Sequence, residues 1–358
     1  MTGAELESVR GVLDSNYIND GKVTSQFEAE IARRLGVKHV MAVTSGTAAI
    51  TAALHAAGVR SGDEVIVPDI TFIATANAAS ILGAKIILAD VEEGSLNVDP
   101  ASVERLITAR TKAIVPVHVS GRGADMQAIL DLAKPRGIAV IEDAAEGFLS
   151  KKDGRYLGTF GLAGCFSLSP NKTITTGQGG FVVTNDVDCF RRLRELNDQG
   201  RGEPGTGGDV IHLSAGFNFK FTNLQAAVGL AQLTAVDARM ERMRSIYRIY
   251  AQRLSGVPGF RLPGFDADHG ECPQWTDAVV EQRDELDRHL TGLDIHCRRF
   301  WFPLHTQAPY RLPDDGFPVS TRIGAKAIWL PSSFLMTDAE THRVCDEIEA
   351  FAGAQRNR

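Results

Sequence analysis

The residues best suited to chemistry form a short segment around Lys172. This lysine ends the segment FSLSPNK and is followed by TITTGQGG. A lysine amine forms an imine with the aldehyde of a bound ligand when small neighbours let the ligand approach. The glycines after Lys172 permit a close approach of the backbone. A lysine in a loop is more often a solvated charge, so Lys172 indicates a site only in the company of other suitable residues.

Two further segments contain such residues. Asp143 follows the apolar run Val140-Ile141-Glu142, so its carboxylate lies at the carboxyl end of a predicted strand. Ligands bind at this edge of an open α/β sheet, where a carboxylate can hold a protonated pyridine nitrogen. The alternative is that Asp143 caps the next helix.

The second segment is Ser45-Gly46-Thr47, which precedes an alanine-rich helical stretch. The free N–H groups and positive dipole of a helix N-terminus suit a phosphate, to which the Thr47 hydroxyl adds a donor. The same turn also suits a plain helix cap. Taken together, the three segments fit a phosphate-bearing cofactor whose aldehyde is held by a lysine.

The elements that must position these residues alternate between strands and helices from residue 38 onward. This rhythm predicts βα units around a mostly parallel sheet with helices on both faces. Predicted helices cover residues 48–57 and 125–134, and another begins at Asp99-Pro100. Predicted strands cover residues 65–67, 85–90, 113–118, 139–142, 165–168 and 181–184.

The second part of the chain has a different character. Residues 223–254 read as one long helix, because apolar residues recur at helical spacing and only Gly229 interrupts them. The remainder contains a helical QRDELDRHL segment, a strand-like DIHCRRFW segment and a final amphipathic helix. We therefore predict a large domain over residues 1–235 and a smaller α+β domain over residues 236–358.

Composition excludes several classes of function. The net charge of −6 disfavours nucleic-acid and anionic-membrane surfaces. No apolar run is long enough to span a membrane and no signal peptide is recognisable, so we expect a cytoplasmic protein. The five scattered cysteines lack a C-x-x-C pair, which favours reduced thiols and no metal site. The motifs of dinucleotide-binding, P-loop and zinc-protease proteins are absent.

The motifs together resemble the fold type I enzymes that use pyridoxal 5′-phosphate, specifically the DegT/StrS nucleotide-sugar aminotransferases. The resemblance extends over nearly the whole chain. Within the family it points to the branch that forms GDP-perosamine. It rests on SGTAAI from Ser45, GDEVIVPDITFIATANA from Gly62, VIEDAAE from Val140, GTFG from Gly158, FSLSPNKTITTGQGGFVVTND from Phe166 and GFNFKFTNLQAAVGLAQL from Gly216.

The resemblance implies a role for each matching residue. Lys172 matches the lysine that forms the Schiff base, and Asp143 matches the partner of the pyridine nitrogen. The other matches concern binding. They are Phe72 (ring stacking), Gly46, Thr47, Ala48 and Ser167 (phosphate region), Glu146 (ring hydroxyl), Asn218 (phosphate of the neighbouring subunit), and Lys220, Arg298 and His305 (sugar nucleotide).

Some positions depart from the family pattern. Ser169-Pro170 and Arg299 differ from the perosamine branch, and Gln178 stands where glutamate is common. The first residue falls inside the family's first helix, so the family's short N-terminal segment is expected to be missing or differently assigned.

The resemblance therefore predicts an aminotransferase that moves an amino group, with L-glutamate as donor, to a keto-sugar nucleotide such as GDP-4-keto-6-deoxymannose. It also predicts a homodimer with shared active sites that takes part in polysaccharide or O-antigen biosynthesis. The alternatives are a different acceptor (a 3-keto sugar nucleotide, an aminocyclitol precursor or a small keto-phosphate) and a non-catalytic regulator. A sugar dehydratase is disfavoured because those relatives replace the lysine with histidine. His118, Trp275 and Trp301 are interpreted as structural residues.

Overall fold

The computed structural model describes residues 1–202 and 211–356. Within these ranges the α-helices are α1 (Glu5–Asp14), α2 (Lys22–Leu35), α3 (Gly46–Ala56), α4 (Ala74–Ser80), α5 (Pro100–Leu106), α6 (Met126–Ala133), α7 (Val187–Asn197), α8 (Asn223–Leu233), α9 (Val236–Arg253), α10 (Arg283–Thr291), α11 (Pro318–Lys326) and α12 (Asp338–Arg356). No helix in these ranges is long and apolar enough to cross a membrane.

The strands are β1 (His39–Val43), β2 (Glu64–Pro68), β3 (Lys85–Ala89), β4 (Thr111–Ile114), β5 (Ala139–Asp143), β6 (Lys151–Lys152), β7 (Arg155–Tyr156), β8 (Ala163–Ser167), β9 (Gly180–Thr184), β10 (Phe260–Arg261), β11 (Thr276–Val280), β12 (Arg298–Arg299) and β13 (Ala327–Leu330). The predicted large-domain strands are all present with shifted ends. The strand predicted over residues 113–118 ends at Ile114, close to Pro116, which has no N–H to donate to a ladder.

The main sheet has seven strands in the order β1-β9-β8-β5-β4-β2-β3. Strands β8, β5, β4, β2 and β3 are parallel, whereas β9 runs antiparallel to both β1 and β8. Strands β2 and β9 are buried along their whole length, as expected for strands with layers on both faces. The prediction of a fold type I α/β architecture is confirmed. Its parallel strands bring the carboxyl end of β5 to the sheet edge where ligands bind.

The second sheet is antiparallel and has the order β10-β11-β13-β12. Helices α10 and α12 pack on each other, and α12 also packs against α9. This arrangement is the α+β character predicted for the end of the chain. The strand-like DIHCRRFW segment is shorter than predicted, since only Arg298–Arg299 pairs, with β13.

The prediction of a single helix over residues 223–254 is wrong. Helix α8 ends at Leu233 and α9 begins at Val236. The N–H groups of Thr234 and Ala235 donate to the carbonyls of Ala231 and Gln232, and the Thr234 hydroxyl also donates to Ala231. These tight i to i−3 bonds close α8. Neither glycine nor proline lies at the break, and the helical spacing of apolar residues continues across it. The sequence therefore predicted one helix.

Candidate active site

A cavity of about 460 Å³ lies at the carboxyl end of β5 and against the N-terminus of α3. It brings together residues that are far apart in the sequence. Among the predicted site residues, those that line it are Gly46, Thr47, Phe72, Asp143, Glu146, Ser167, Lys172 and Arg298.

The Lys172 side chain is inside the protein, only 13% exposed. Its Nζ lies 3.2 Å from Glu146 Oε1, to which it donates a hydrogen bond. The loop is held locally, since the Lys172 N–H donates to the Ser169 carbonyl. The alternative interpretation of this lysine as a solvated loop charge does not hold. The amine points into a cavity that can receive a ligand carbonyl.

The Asp143 carboxylate is buried at the end of β5. Thr75 Oγ1 donates to Asp143 Oδ2 at 2.7 Å, and the Ala145 N–H donates to Oδ1 at 3.1 Å. No helix begins after Asp143 in this part of the described chain, so the helix-cap alternative is wrong. Burial raises the pKa of Asp143, while Thr75, the Ala145 N–H and the charge of Lys172 act in the opposite direction. A cationic ligand group beside Asp143 would stabilise its charged form.

The N-terminus of α3 also lines the cavity. Ser45 is the N-cap, and its side chain accepts a hydrogen bond from the Ala48 N–H. The cap therefore exists, yet it leaves the first N–H groups of the helix, at Gly46 and Thr47, without intrahelical partners. Ala48 is buried and does not line the cavity. A Cβ on Gly46 would lie 3.0 Å from Ser167 Cβ, so the Ser167 side chain lies directly beside the helix end.

Aromatic and cationic side chains form the remaining wall. Phe72 is 60% exposed although it is a large apolar residue, which suits contact with a planar ligand. Trp275, Trp301 and Trp329, the three tryptophans of the chain, all line the cavity. The interpretation of Trp275 and Trp301 as purely structural residues missed this position.

Arg298 lies over two of these rings. Its guanidinium is 5.7 Å from the centre of the Trp275 ring and 5.5 Å from that of Trp329. Arg299, which departs from the family pattern, also lines the cavity and pairs with Asp284 at 3.1 Å. This wall carries positive charge that suits an anionic ligand.

Three predicted residues lie elsewhere. Asn218 and Lys220 line a separate cleft of about 920 Å³, where Lys220 Nζ pairs with Asp198 at 2.8 Å. His305 is fully buried, and its Nδ1 lies 2.6 Å from Asp69 Oδ2. The structure thus does not bring these three side chains to Lys172 within one chain.

His118 is a structural residue, as predicted. Its Nδ1 accepts a hydrogen bond from the Ala124 N–H, so its Nε2 donates to Glu142 at 2.9 Å. Across the described ranges no cluster of His, Cys, Asp and Glu could hold a metal ion. All five cysteines are free.

Sequence reasoning missed several functional neighbours besides the tryptophans. Two of them are Thr75, which holds Asp143, and Ser120, whose N–H donates to Glu146. Their types carry no pattern that distinguishes them from ordinary core hydroxyls. Arg299 had a signal, because it departs from the family pattern beside Arg298.

Chemically, the cavity offers a helix N-terminus suited to an anion, an amine and a carboxylate. The helix N-terminus and Ser167 suit a phosphate. Phe72 suits the face of a planar ring, and Asp143 suits a positively charged ring atom. Lys172 suits a carbonyl carbon. The lining therefore fits a phosphorylated aromatic aldehyde.

Comparisons with known proteins identify the family of the chain. Residues 1–349 match the DegT/DnrJ/EryC1/StrS aminotransferase family. The chain is 37% identical to a GDP-perosamine synthase from Escherichia coli O157:H7, over 98% of this chain and 96% of the relative. It is 36% identical to a GDP-perosamine synthase from Caulobacter vibrioides, over 96% of this chain and 94% of the relative.

Among solved structures, the chain is similar to DesV from S. venezuelae, determined in complex with a ketimine intermediate. The TM-score is 0.92 with 32% identity, and the match covers 97% of this chain and 94% of DesV.

Proposed function

Because the chain belongs to the DegT/DnrJ/EryC1/StrS aminotransferase family, we propose that it is a pyridoxal 5′-phosphate enzyme that aminates a nucleotide-linked keto-sugar. The donor is L-glutamate, and the acceptor is GDP-4-keto-6-deoxymannose or a close analogue, giving GDP-perosamine or a related 4-amino sugar. One observation carries the proposal: Lys172, Asp143 and the N-terminus of α3 line a single cavity.

Different cavity residues would bind different parts of the cofactor. Gly46, Thr47 and Ser167 would hold the phosphate, Phe72 would stack on the ring, and Asp143 would pair with the ring nitrogen. When bound, pyridoxal 5′-phosphate supplies an electron-accepting ring that stabilises negative charge on the substrate carbon.

The chain's own groups then handle protons and position. Lys172 Nζ takes a proton from the donor carbon and returns one to the acceptor carbon as a positioned general base and acid. Glu146 accepts a hydrogen bond from Nζ and keeps the amine inside the cavity when it is protonated. With the cofactor bound, the Asp143 carboxylate would keep the ring nitrogen protonated. The three tryptophans cover the site and exclude water.

The choice of acceptor is supported by the relatives and by the cationic wall. Two relatives matched over nearly their full length carry the name GDP-perosamine synthase. Arg298 and Arg299 are suited to the diphosphate of a sugar nucleotide, because guanidinium groups bind phosphate oxygens in a bidentate manner. His305 belongs to the segment after these arginines and stays a predicted neighbour of the sugar nucleotide.

Association of two chains completes the proposal. Asn218 is exposed in the separate cleft, which leaves its side chain available to a second copy of the chain. We place Asn218 on the partner's phosphate and Lys220 beside the partner's substrate in a homodimer.

The proposed function is tested with the purified protein, pyridoxal 5′-phosphate and L-glutamate. Keto-sugars linked to GDP, UDP and dTDP are offered in parallel, and the products are identified by mass and NMR. We expect 2-oxoglutarate and an amino sugar from the GDP-linked acceptor. Exclusive turnover of a different nucleotide, or of a small keto-phosphate, would contradict the proposed acceptor but not the aminotransfer.

A substitution tests the role of Lys172. Lys172→Ala should abolish turnover while the fold and part of the cofactor affinity persist, since the other contacts remain. Borohydride reduction of the wild-type protein with its cofactor should label Lys172, as read by peptide mass. A label confined to Lys112 or Lys134 would overturn the assignment.

A further inference from the structure

Glu146 is fixed by more than its contact with Lys172. Its Oε2 accepts a hydrogen bond from the Ser120 N–H at 2.9 Å. Its Oε1 accepts from Trp275 Nε1 at 3.1 Å and from Lys172 Nζ at 3.2 Å. The two additional donors belong to segments outside the β5 and Lys172 region. Displacing either one would leave Glu146 free to change its position against the amine.

Ser120 is held in an uncommon backbone conformation. Its φ is 55°, in the left-handed region that a residue other than glycine seldom adopts. Such a conformation persists only where the surroundings over-determine it. Here Ser120 Oγ donates to Asp277 Oδ1 at 2.6 Å, and the Gln274 N–H donates to the Ser120 carbonyl at 2.8 Å. Trp329 Nε1 donates to the same hydroxyl at 3.3 Å.

Asp277 lies on β11 of the second sheet and is 1% exposed. Its second oxygen, Oδ2, accepts from Arg122 Nη2 at 2.7 Å. Arg122 Nε and Nη1 donate to the carbonyls of Gly264 and Ser95, at 2.9 and 2.6 Å. Both oxygens of Asp277 therefore have fixed partners, and the carboxylate cannot rotate without breaking one of these bonds.

We propose that Asp277 is a positioning residue for Lys172, acting through Ser120 and Glu146. The second sheet thereby sets the position of the reacting amine, although none of its strands carries that amine. This inference rests on the proposed function for its kinetic consequence. A displacement of the order of 1 Å at a reacting group lowers the rate by about a hundredfold.

Two substitutions interrupt the connection at different points. Asp277→Asn replaces one carboxylate oxygen with an amide NH2, so either Arg122 loses its acceptor or the Ser120 hydroxyl must accept a hydrogen bond in place of donating one. Ser120→Gly keeps the N–H to Glu146 and tolerates positive φ, yet removes the hydroxyl that joins Asp277. The glycine variant leaves the Asp277–Arg122 pair intact, so it should fold even if Asp277→Asn does not.

Asp90 offers a matched control. It is another buried carboxylate, and it connects the end of β3 to helix α11. Asp90 accepts hydrogen bonds from the N–H groups of Val319 and Ser320 at 3.0 and 2.8 Å. It also accepts from Ser320 Oγ at 2.6 Å. Asp90 does not contact Glu146, Ser120 or Lys172. Asp90→Asn should therefore cost stability without moving the amine.

The first readout is independent of turnover. Three tryptophans give three indole N–H resonances in the ¹⁵N-labelled full chain, with or without pyridoxal 5′-phosphate. We expect Asp277→Asn and Ser120→Gly to shift the Trp275 and Trp329 resonances. The Asp90→Asn spectrum should match the wild type. An unmoved Trp275 resonance in both test variants would overturn the proposal.

The second readout is kinetic. Asp277→Asn and Ser120→Gly should lower kcat by about tenfold or more, with the KM for L-glutamate changed by less than about threefold. Asp90→Asn should keep kcat within about twofold. Equal losses in all three variants would indicate a general structural effect and overturn the proposal.

If the wild-type protein turns over no acceptor, the proposed function fails and the positioning role is judged separately. The readout is then the yield of Lys172 labelled by pyridoxal 5′-phosphate and borohydride. This yield should fall in the two test variants and not in Asp90→Asn. Equal yields in all variants would overturn the positioning role.

Discussion

At the scale of single residues, the two candidate reactive groups, Lys172 and Asp143, are each shielded from solvent and hydrogen-bonded to neighbouring residues. Lys172 is held by Glu146, and Asp143 is held by Thr75 and the Ala145 N–H. A buried carboxylate is costly unless hydrogen bonds and opposite charges compensate it. The donors around Asp143 are fewer than a carboxylate can accept, which leaves room for a cationic ligand atom.

Asp143→Asn tests this charge. Asparagine preserves the shape and can still accept from Thr75, but it cannot hold a proton on a ring nitrogen. We expect the variant to bind the cofactor and to lose about a hundredfold or more in kcat. Cofactor absorbance and stopped-flow half-reactions with L-glutamate measure the two effects. Near-normal turnover would show that Asp143 is only a structural residue of the turn.

At the scale of elements, the anion site depends on how closely β9 approaches the turn before α3. A Cβ on Gly180, at the start of β9, would lie 2.6 Å from the backbone carbonyl carbon of Ser45. Contacts of that length require the backbone to move. The glycine thus permits the position of α3 that directs its first N–H groups into the cavity.

Gly180→Ala should therefore displace the turn and weaken cofactor binding by about tenfold, a loss of about 1.4 kcal/mol. Gly94→Ala is the control, because nothing lies within 4 Å of a Cβ at that position. Equilibrium titration with pyridoxal 5′-phosphate measures both. Unchanged affinity in Gly180→Ala would mean that the turn does not contribute to the phosphate site.

Helix α2 carries two glutamates with opposite pKa shifts. Burial raises the pKa of Glu28 to about 7, against the lowering effects of Arg194 and the Ala42 N–H. Hydrogen bonds from Arg33 and Arg34 lower the pKa of Glu30 to about 2. Because the folded state retains the Glu28 proton longer than the unfolded state, stability falls as the pH rises from about 4.5 to about 7.

Glu28→Gln should remove that loss, which is on the order of 3 kcal/mol. The glutamine still accepts from the Ala42 N–H. The variant's advantage over wild type should grow between pH 5 and 7 and then level off, as measured by urea unfolding. Glu30→Gln is the control, because its stabilising effect is complete above about pH 4.5 and is lost only as the pH falls towards 2. Parallel curves for Glu28→Gln and wild type would contradict the shifted pKa.

At the scale of the whole molecule, the described chain has two separate sets of predicted site residues. Lys172 and Asp143 line one cavity, whereas Asn218 and Lys220 line another cleft. In the proposed homodimer, two copies of the chain would bring the two sets together. The proposed shared site ties cofactor retention to association, since a monomer would lack one phosphate contact.

Mixing two inactive variants tests the shared site. Lys172→Ala lacks the amine, and in the proposed dimer Asn218→Asp would place a negative charge near the partner's phosphate. In a mixed dimer, one of the two sites combines an intact lysine with an intact asparagine, so part of the activity should return. Native mass spectrometry verifies subunit exchange. Verified exchange without activity, or an active monomer in sedimentation, would rule out the shared site.

The sequence by itself determined the elements and the local chemistry of the site. Ser45-Gly46-Thr47, Asp143 and Lys172 each lie next to a predicted strand or helix, so local patterns located them and the parallel sheet explains why they meet. The family resemblance followed from the same short motifs. These features depend on neighbours within a few residues, which a sequence displays directly.

Only the tertiary structure decided which distant side chains complete the cavity. Ser120 and Asp277 are 157 positions apart, and His305 lies 236 positions from its partner Asp69. The break between α8 and α9 likewise lacks a glycine or proline. Such contacts form when segments that are distant in the sequence pack against each other in the folded chain. A single hydroxyl or indole belongs to no periodic pattern that would identify its hydrogen-bond partner. That partner is therefore known only from the folded structure.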